Sequence, residues 1–135
     1  MRKVDIKRSV TESNDAIAAR NRRRFAEAGV FVINLIGSPG CGKTSILEYT
    51  AAHFDGRFAA IVGDVKTALD AERIDRCGVD SFAIETGGGC HLNAAQIEAA
   101  LGDVALDAID FLFIENVGNL VCPSAFDLGE NVKAA

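Results

Sequence analysis

The sequence has only two prolines and no low-complexity run among its 135 residues, which argues against a disordered tether. No apolar stretch reaches a membrane-spanning length before charge breaks it, and the N-terminus lacks the apolar core of a signal peptide. A cytoplasmic protein with no membrane partner is therefore expected. Cysteine occurs at Cys41, Cys77, Cys90 and Cys122, yet there is no CxxC pair and no secretory context, so a disulfide framework is not expected. Residues 1–24 hold eight Lys/Arg against three acids, and the remainder carries a net charge of −10. No aromatics interleave with the basic residues, so this segment reads as a solvated helix face and not as a nucleic-acid surface.

What is present is 49% hydrophobic content, enough for one domain with a real core. Residues 1–9 read as an irregular or extended arm. Val10 to Ala28 has helical spacing and stops at Gly29, a residue suited to a helix C-terminus. Val30 to Ile36 is a short run rich in β-branched residues, as expected of a strand buried on both faces. The alternation continues with a helix from Lys43 to Phe54, a strand from Ala59 to Val65, and a helix from Ala68 to Cys77. A strand from Ser81 to Glu85, a helix from Leu92 to Leu101 and a strand from Asp110 to Val117 complete it. This order predicts an α/β fold, a three-layer parallel sheet with right-handed crossovers. Residues 1–29 form its N-terminal arm and helix, and residues 30–135 carry the sheet. Four strands are few for such a sheet, so the reading expects it to be incomplete at the C-terminus and the chain to be part of a longer protein.

Gly37-Ser38-Pro39-Gly40-Cys41-Gly42-Lys43-Thr44 fits G-x-x-x-x-G-K-[ST], the phosphate-binding P-loop, between a buried strand and a helix. Its glycines let backbone amides close around a polyphosphate, and the helix that follows offers the same anion its N-terminal dipole. The nucleotide-binding set is those eight residues and Ser45. Lys43 is expected to stabilise charge on the transferring phosphoryl group, and the Thr44 hydroxyl to ligate Mg²⁺. Acids at strand C-termini are the further candidates: Asp64 and Glu115 for Mg²⁺, Glu115 also for catalysis. Asp70 reads equally as a catalytic acid in a switch segment or as a helix N-terminal acid. Gly118, three residues after Glu115, permits a backbone amide to approach a γ-phosphate.

Cys90 and His91 follow three glycines, and Cys122 follows the fourth predicted strand. Two thiolates and an imidazole suit zinc or nickel. On spacing alone the plainer reading is two semi-buried thiols and a surface histidine. Three ligands leave a tetrahedral site incomplete, and a symmetric dimer can supply the rest. Cys41, Cys77 and His53 read as structural or surface residues.

Three segments together resemble the HypB family of nickel-incorporation GTPases that mature nickel–iron hydrogenase. They are Asn34 to Gly40, Thr86-Gly87 with Cys90-His91-Leu92, and Phe113 to Pro123 continuing into Phe126 to Glu130. The likeness runs from about Asn14 to Glu130. It implies a GTP-hydrolysing metallochaperone that dimerises with nucleotide and holds Ni²⁺ or Zn²⁺ on Cys90, His91 and Cys122 at the dimer interface. It also implies a HypA-type metallochaperone and a hydrogenase large-subunit precursor as partners. The family's guanine-reading Asn-Lys-x-Asp segment lies downstream of Ala135, so the preference for GTP rests on the resemblance. Cys41 replaces a common serine, and Asn93 stands where an aspartate often follows Cys-His-Leu. A small-molecule kinase, a urease-type accessory GTPase and an inactive fragment are the alternatives.

Overall fold

Each central strand is a short, mostly apolar run, largely buried and paired with neighbours of the same kind. The computed structural model describes residues 1–5, 13–38, 42–65, 68–119 and 121–135. In chain order its regular elements are β1 (Arg2–Lys3), α1 (Asn14–Ala28), β2 (Phe31–Leu35), α2 (Lys43–His53) and β3 (Phe58–Gly63). Then come α3 (Ala68–Arg76), β4 (Asp80–Ile84), α4 (Ala94–Leu101), β5 (Phe111–Glu115) and β6 (Val132–Ala134). The strands form one sheet in the order β1-β4-β3-β5-β2-β6, and all its pairs are parallel. No described helix is long and apolar enough to cross a membrane.

Side-chain alternation divides the core into two faces. Val32, Ile61, Leu112 and Ile114 pack with Phe25 of α1 and with Ile97 and Leu101 of α4. Leu35, Ala60, Val62 and Phe113 pack on the other side with Leu47 of α2 and Ile74 of α3. The expected three layers are therefore present.

The structure corrects the strand count from four to six. Arg2–Lys3 was expected to be an arm and instead pairs with Phe82–Ala83. The Arg2 guanidinium lies 4.4 Å from the Phe82 ring centroid and pairs with Asp80. Val132–Ala134 joins the opposite edge, pairing with Ile33–Leu35. Both edge strands, of two and three residues, are too short to show a period-two pattern.

Helix ends follow their caps. The Ser13 hydroxyl accepts from the Ala16 amide at 3.3 Å and opens α1, while the residues from Val10 to Glu12 where the sequence placed its start lie outside the described ones. Gly29 closes α1 at φ 71°, as expected. Asn93, the departure noted after Cys-His-Leu, caps α4 reciprocally with Gln96, so this helix begins at Ala94 and not Leu92.

A segment after a 3-10 turn (Pro123–Ala125) seals α1 against the sheet. Asn21 is fully buried and donates to the carbonyls of Ala94 and Leu128 at 3.0 and 3.1 Å. Gly129 lies at φ 95°, and a Cβ there would sit 2.8 Å from the Ala18 carbonyl oxygen and 2.9 Å from the Arg22 nitrogen. Gly129→Ala is expected to cost about 2–4 kcal/mol, from left-handed strain plus a backbone clash. Urea unfolding checks this, and a change below about 1 kcal/mol would show that the packing yields.

Candidate nucleotide and metal sites

All strands run the same way, so their C-terminal ends gather at one sheet edge, where α/β proteins bind ligands. The loop after β2 leads through Gly37 and Ser38 to Gly42 and α2; Pro39, Gly40 and Cys41 lie outside the described residues. Gly42 sits at φ 104° and caps α2 with no side-chain hydrogen bond, which presents the helix's first amides to the cleft. Lys43 is buried, and its ammonium donates to the carbonyls of Gly37 at 3.0 Å and Ser38 at 3.2 Å. It thus reaches back along the loop that a phosphate would enter.

β5 sets the acid beside this loop, because Glu115 pairs in register with Leu35. The Thr44 hydroxyl donates to Glu115 Oε1 at 3.2 Å. Glu115 Oε2 is buried with no hydrogen-bond partner among the described residues. Burial pushes the Glu115 carboxyl up, against the opposing pull of the Thr44 hydroxyl and the Lys43 charge. A buried acceptor beside a helix-start hydroxyl suits a hard, oxygen-seeking cation such as Mg²⁺.

A cleft of about 260 Å³ joins these groups to Ser45, Asp64, Asp70 and Gly118. Asp64 is not turned outward; its Oδ1 accepts from the Thr86 amide at 2.8 Å and its Oδ2 from the Thr86 hydroxyl at 2.5 Å. Asp70 is exposed in the first turn of α3. Arg73 also lines the cleft, donates to Ser45 Oγ at 2.9 Å and pairs with Glu48. Sequence reasoning missed Arg73, and its only signal was its place one turn after Asp70.

The same edge gathers the thiols and the imidazole. The ligating atoms of Cys90, His91 and Cys122 all lie within 4.8 Å of one another. Cys90 Sγ is 3.6 Å from His91 Nδ1. Hydrogen bonding with Cys122, then burial, holds the Cys90 thiol above its ordinary value. The His91 ring stacks on Phe126 with centroids 3.8 Å apart, a contact that the sequence did not reveal. Asn119 braces the other side: its Oδ1 accepts from the amides of Val121 and Cys122 at 2.8 and 3.4 Å, while its own amide donates to Gly37 at 2.9 Å. Cys77 lies apart, its thiol donating to the Arg73 carbonyl at 3.3 Å, and His53 is exposed and stacked on Tyr49.

The model of the CobW/HypB/UreG nucleotide-binding domain matches residues 31–132. The chain is 47% identical over 132 residues to the hydrogenase maturation factor HypB of Rhizobium leguminosarum bv. viciae, spanning 96% of this chain and 44% of that one. It is 49% identical over 138 residues to HypB of Azotobacter vinelandii, spanning 99% and 45%. The crystal structure of HypB from Helicobacter pylori in complex with nickel matches with a TM-score of 0.82 at 44% identity, over 90% of this chain and 59% of that one. HypB from Archaeoglobus fulgidus gives 0.80 at 42% identity, over 89% and 59%. The chain spans about half the length of the relatives it matches. Because the matched segment takes in every strand from β2 to the start of β6, the chain belongs to the CobW/HypB/UreG family of nucleotide-binding proteins.

Proposed function

We propose that this chain is the phosphate- and metal-handling part of a GTP-hydrolysing nickel metallochaperone that serves nickel insertion into nickel–iron hydrogenase. The observation that carries this reading is the gathering of Cys90, His91 and Cys122 within 4.8 Å, at the sheet edge that also bears the phosphate loop. Two soft thiolates and an imidazole suit Ni²⁺ or Zn²⁺ and suit Mg²⁺ poorly, so the trio holds cargo and not the nucleotide's cation. The relatives' names as hydrogenase maturation factors, and the nickel in the H. pylori protein, point the same way.

In this reading Gly37 to Gly42 and Ser45 cradle the phosphates of GTP, and Lys43 moves from the loop carbonyls to the transferring phosphoryl group. Thr44, Asp64 and Glu115 are the oxygen ligands for Mg²⁺, which supplies charge neutralisation at the phosphates. Asp70 and Glu115 orient the attacking water. Three ligands leave nickel under-coordinated, so a second copy of the chain completes the site, and nucleotide governs that dimer. A HypA-type metallochaperone and the hydrogenase large-subunit precursor are the partners by likeness to the family. A cytoplasmic setting keeps the thiols reduced.

Cys122→Ala is expected to weaken nickel binding at least tenfold while leaving nucleotide affinity within about twofold. Titration of both ligands checks this, and equal nickel affinity in the two proteins would contradict the assignment. Lys43→Ala is expected to slow GTP hydrolysis about a hundredfold or more by removing charge stabilisation, as steady-state phosphate release would report. A GTP analogue is expected to shift the protein from monomer to dimer in sedimentation.

Glu115 adds a pH signature. Because burial raises its carboxyl, the folded protein keeps a proton there over a range in which the unfolded chain has lost it. Wild-type stability should therefore fall relative to Glu115→Gln as pH rises from the ordinary value of 4.5 through the raised one. Urea titrations across that range read the difference, and parallel curves would mean that the charged form carries no penalty.

A further inference from the structure

Asp64, Asp70 and Glu115 set negative charge into the phosphate cleft, and among its described lining residues only Lys43 and Arg73 are cationic. A polyphosphate adds several negative charges, and a phosphoryl group in transfer spreads more onto its outer oxygens. Lys43 belongs to the phosphate loop itself. Arg73 is the one cation that the described lining brings from a different element, α3.

α2 and α3 lie on the same face of the sheet, anchored by the buried Leu47 and Ile74. Ser45 and Glu48 are three residues apart on α2, so both face the same way. The Arg73 guanidinium meets them from α3. Its Nη2 donates to Ser45 Oγ at 2.9 Å, and its Nε donates to Glu48 Oε1 at 2.7 Å, with Nη2 on that same oxygen. One carboxylate oxygen therefore takes two donors, and the pair lacks the two parallel bonds of a bidentate fork. Among the described residues Nη1 has no hydrogen-bond partner. The two side chains are 40% and 38% exposed, so the pair contributes little to stability and exchanges readily. Burial raises the Glu115 carboxyl, and the Arg73 charge is among those that oppose it, so Arg73 lies within electrostatic reach of the acid that ends β5.

The geometry points to Arg73 as a catalytic residue of GTP hydrolysis, parked on Glu48 until a γ-phosphate draws its guanidinium into the cleft. This rests on the function proposed above. Hydrolysis forms a bond from the water oxygen to the γ-phosphorus and breaks the bond from that phosphorus to the bridging oxygen. The electron pair of the broken bond leaves with the diphosphate, and the surplus proton of the water goes to solvent. Arg73 stays protonated throughout and gives only hydrogen bonds. Its planar fork meets the γ-oxygens as they gain charge, where a fixed cation lowers the barrier most. Glu48 competes for the same donors, so it restrains the reaction and takes no part in it.

The test is GTP hydrolysis by the intact chain with Mg²⁺, read as kcat. Beside it stand the dissociation constants of GTP, of GDP, and of GDP with aluminium fluoride, which mimics the transferring phosphoryl group. Arg73→Ala is expected to lower kcat about a hundredfold. It is expected to weaken the aluminium fluoride complex at least about tenfold while GTP and GDP affinities stay within about threefold. Arg73→Lys keeps the charge without the fork and is expected to fall between Arg73→Ala and wild type. Glu48→Gln frees Arg73 and is expected to hydrolyse GTP at least as fast as wild type. If the pair only clamps α2 to α3, Arg73→Ala and Glu48→Gln lose it equally and slow alike, with no selective loss of the aluminium fluoride complex; that result would overturn the inference. Where Arg73→Ala fails to bind GTP, Arg73→Lys and Glu48→Gln decide by the same comparison. Wild type that hydrolyses GTP while the kcat of Arg73→Ala stays within about twofold of it would sink this inference alone. Wild type that does not hydrolyse GTP would sink the function reading with it.

Discussion

The parallel ladder between β2 and β5 is the constraint on which both candidate sites depend. It runs without a bulge from Phe31 opposite Phe111 to Leu35 opposite Glu115. A slip of one residue would turn Leu112 and Ile114 away from α1 and α4, so the two-faced core holds the register. With that register fixed, Glu115 ends its strand beside the start of the phosphate loop and meets the Thr44 hydroxyl on α2. The chain beyond Glu115 then has to return past Gly37, where Asn119 forms an isolated antiparallel bridge and braces the turn that carries Cys122. The phosphate loop and one cysteine of the candidate metal site thus hang from the same pair of strands.

Polar side chains inside this sheet make the arrangement directional. Asn34 is fully buried in β2, where an unpaired amide would be costly. Its oxygen accepts from the Asn116 amide at 3.1 Å, and its own amide points to Glu130 Oε1 at 3.5 Å. The other oxygen of Glu130 accepts from the Leu128 amide at 2.8 Å. Asn116 in turn receives the Leu92 amide. One chain of hydrogen bonds therefore joins the loop bearing Cys90 and His91, the end of β5, the middle of β2 and the segment that seals α1. Apolar packing brings these segments together, and the amides determine how they are aligned.

Much of this was legible because the central strands are apolar runs punctuated by Gly29 and Gly78, and because the phosphate loop and the cysteine–histidine trio carry recognisable chemistry. Helix positions were read to within a few residues; the misses at Ala94 and at the end of α2 are matters of capping. The edges were not legible, since Arg2–Lys3 and Val132–Ala134 show no pattern that a strand of two or three residues can display. Nor were the contacts that depend on the tertiary fold. Thr86 looks like any loop threonine until Asp64 is seen to hold it, Arg73 like a helix-surface cation until the cleft is built around it. Asp64, read as a metal-facing acid, is engaged with the loop bearing Cys90, a relation that sequence spacing does not encode.

The central claim is that one sheet edge carries both a phosphate cleft and a soft-metal site. X-ray absorption at the nickel edge of the nickel-loaded protein tests the less familiar half directly, because sulfur and nitrogen scatterers are distinguishable around the metal. The account predicts sulfur ligation together with imidazole, from Cys90, Cys122 and His91. A spectrum with only oxygen and nitrogen neighbours would place nickel elsewhere and contradict it.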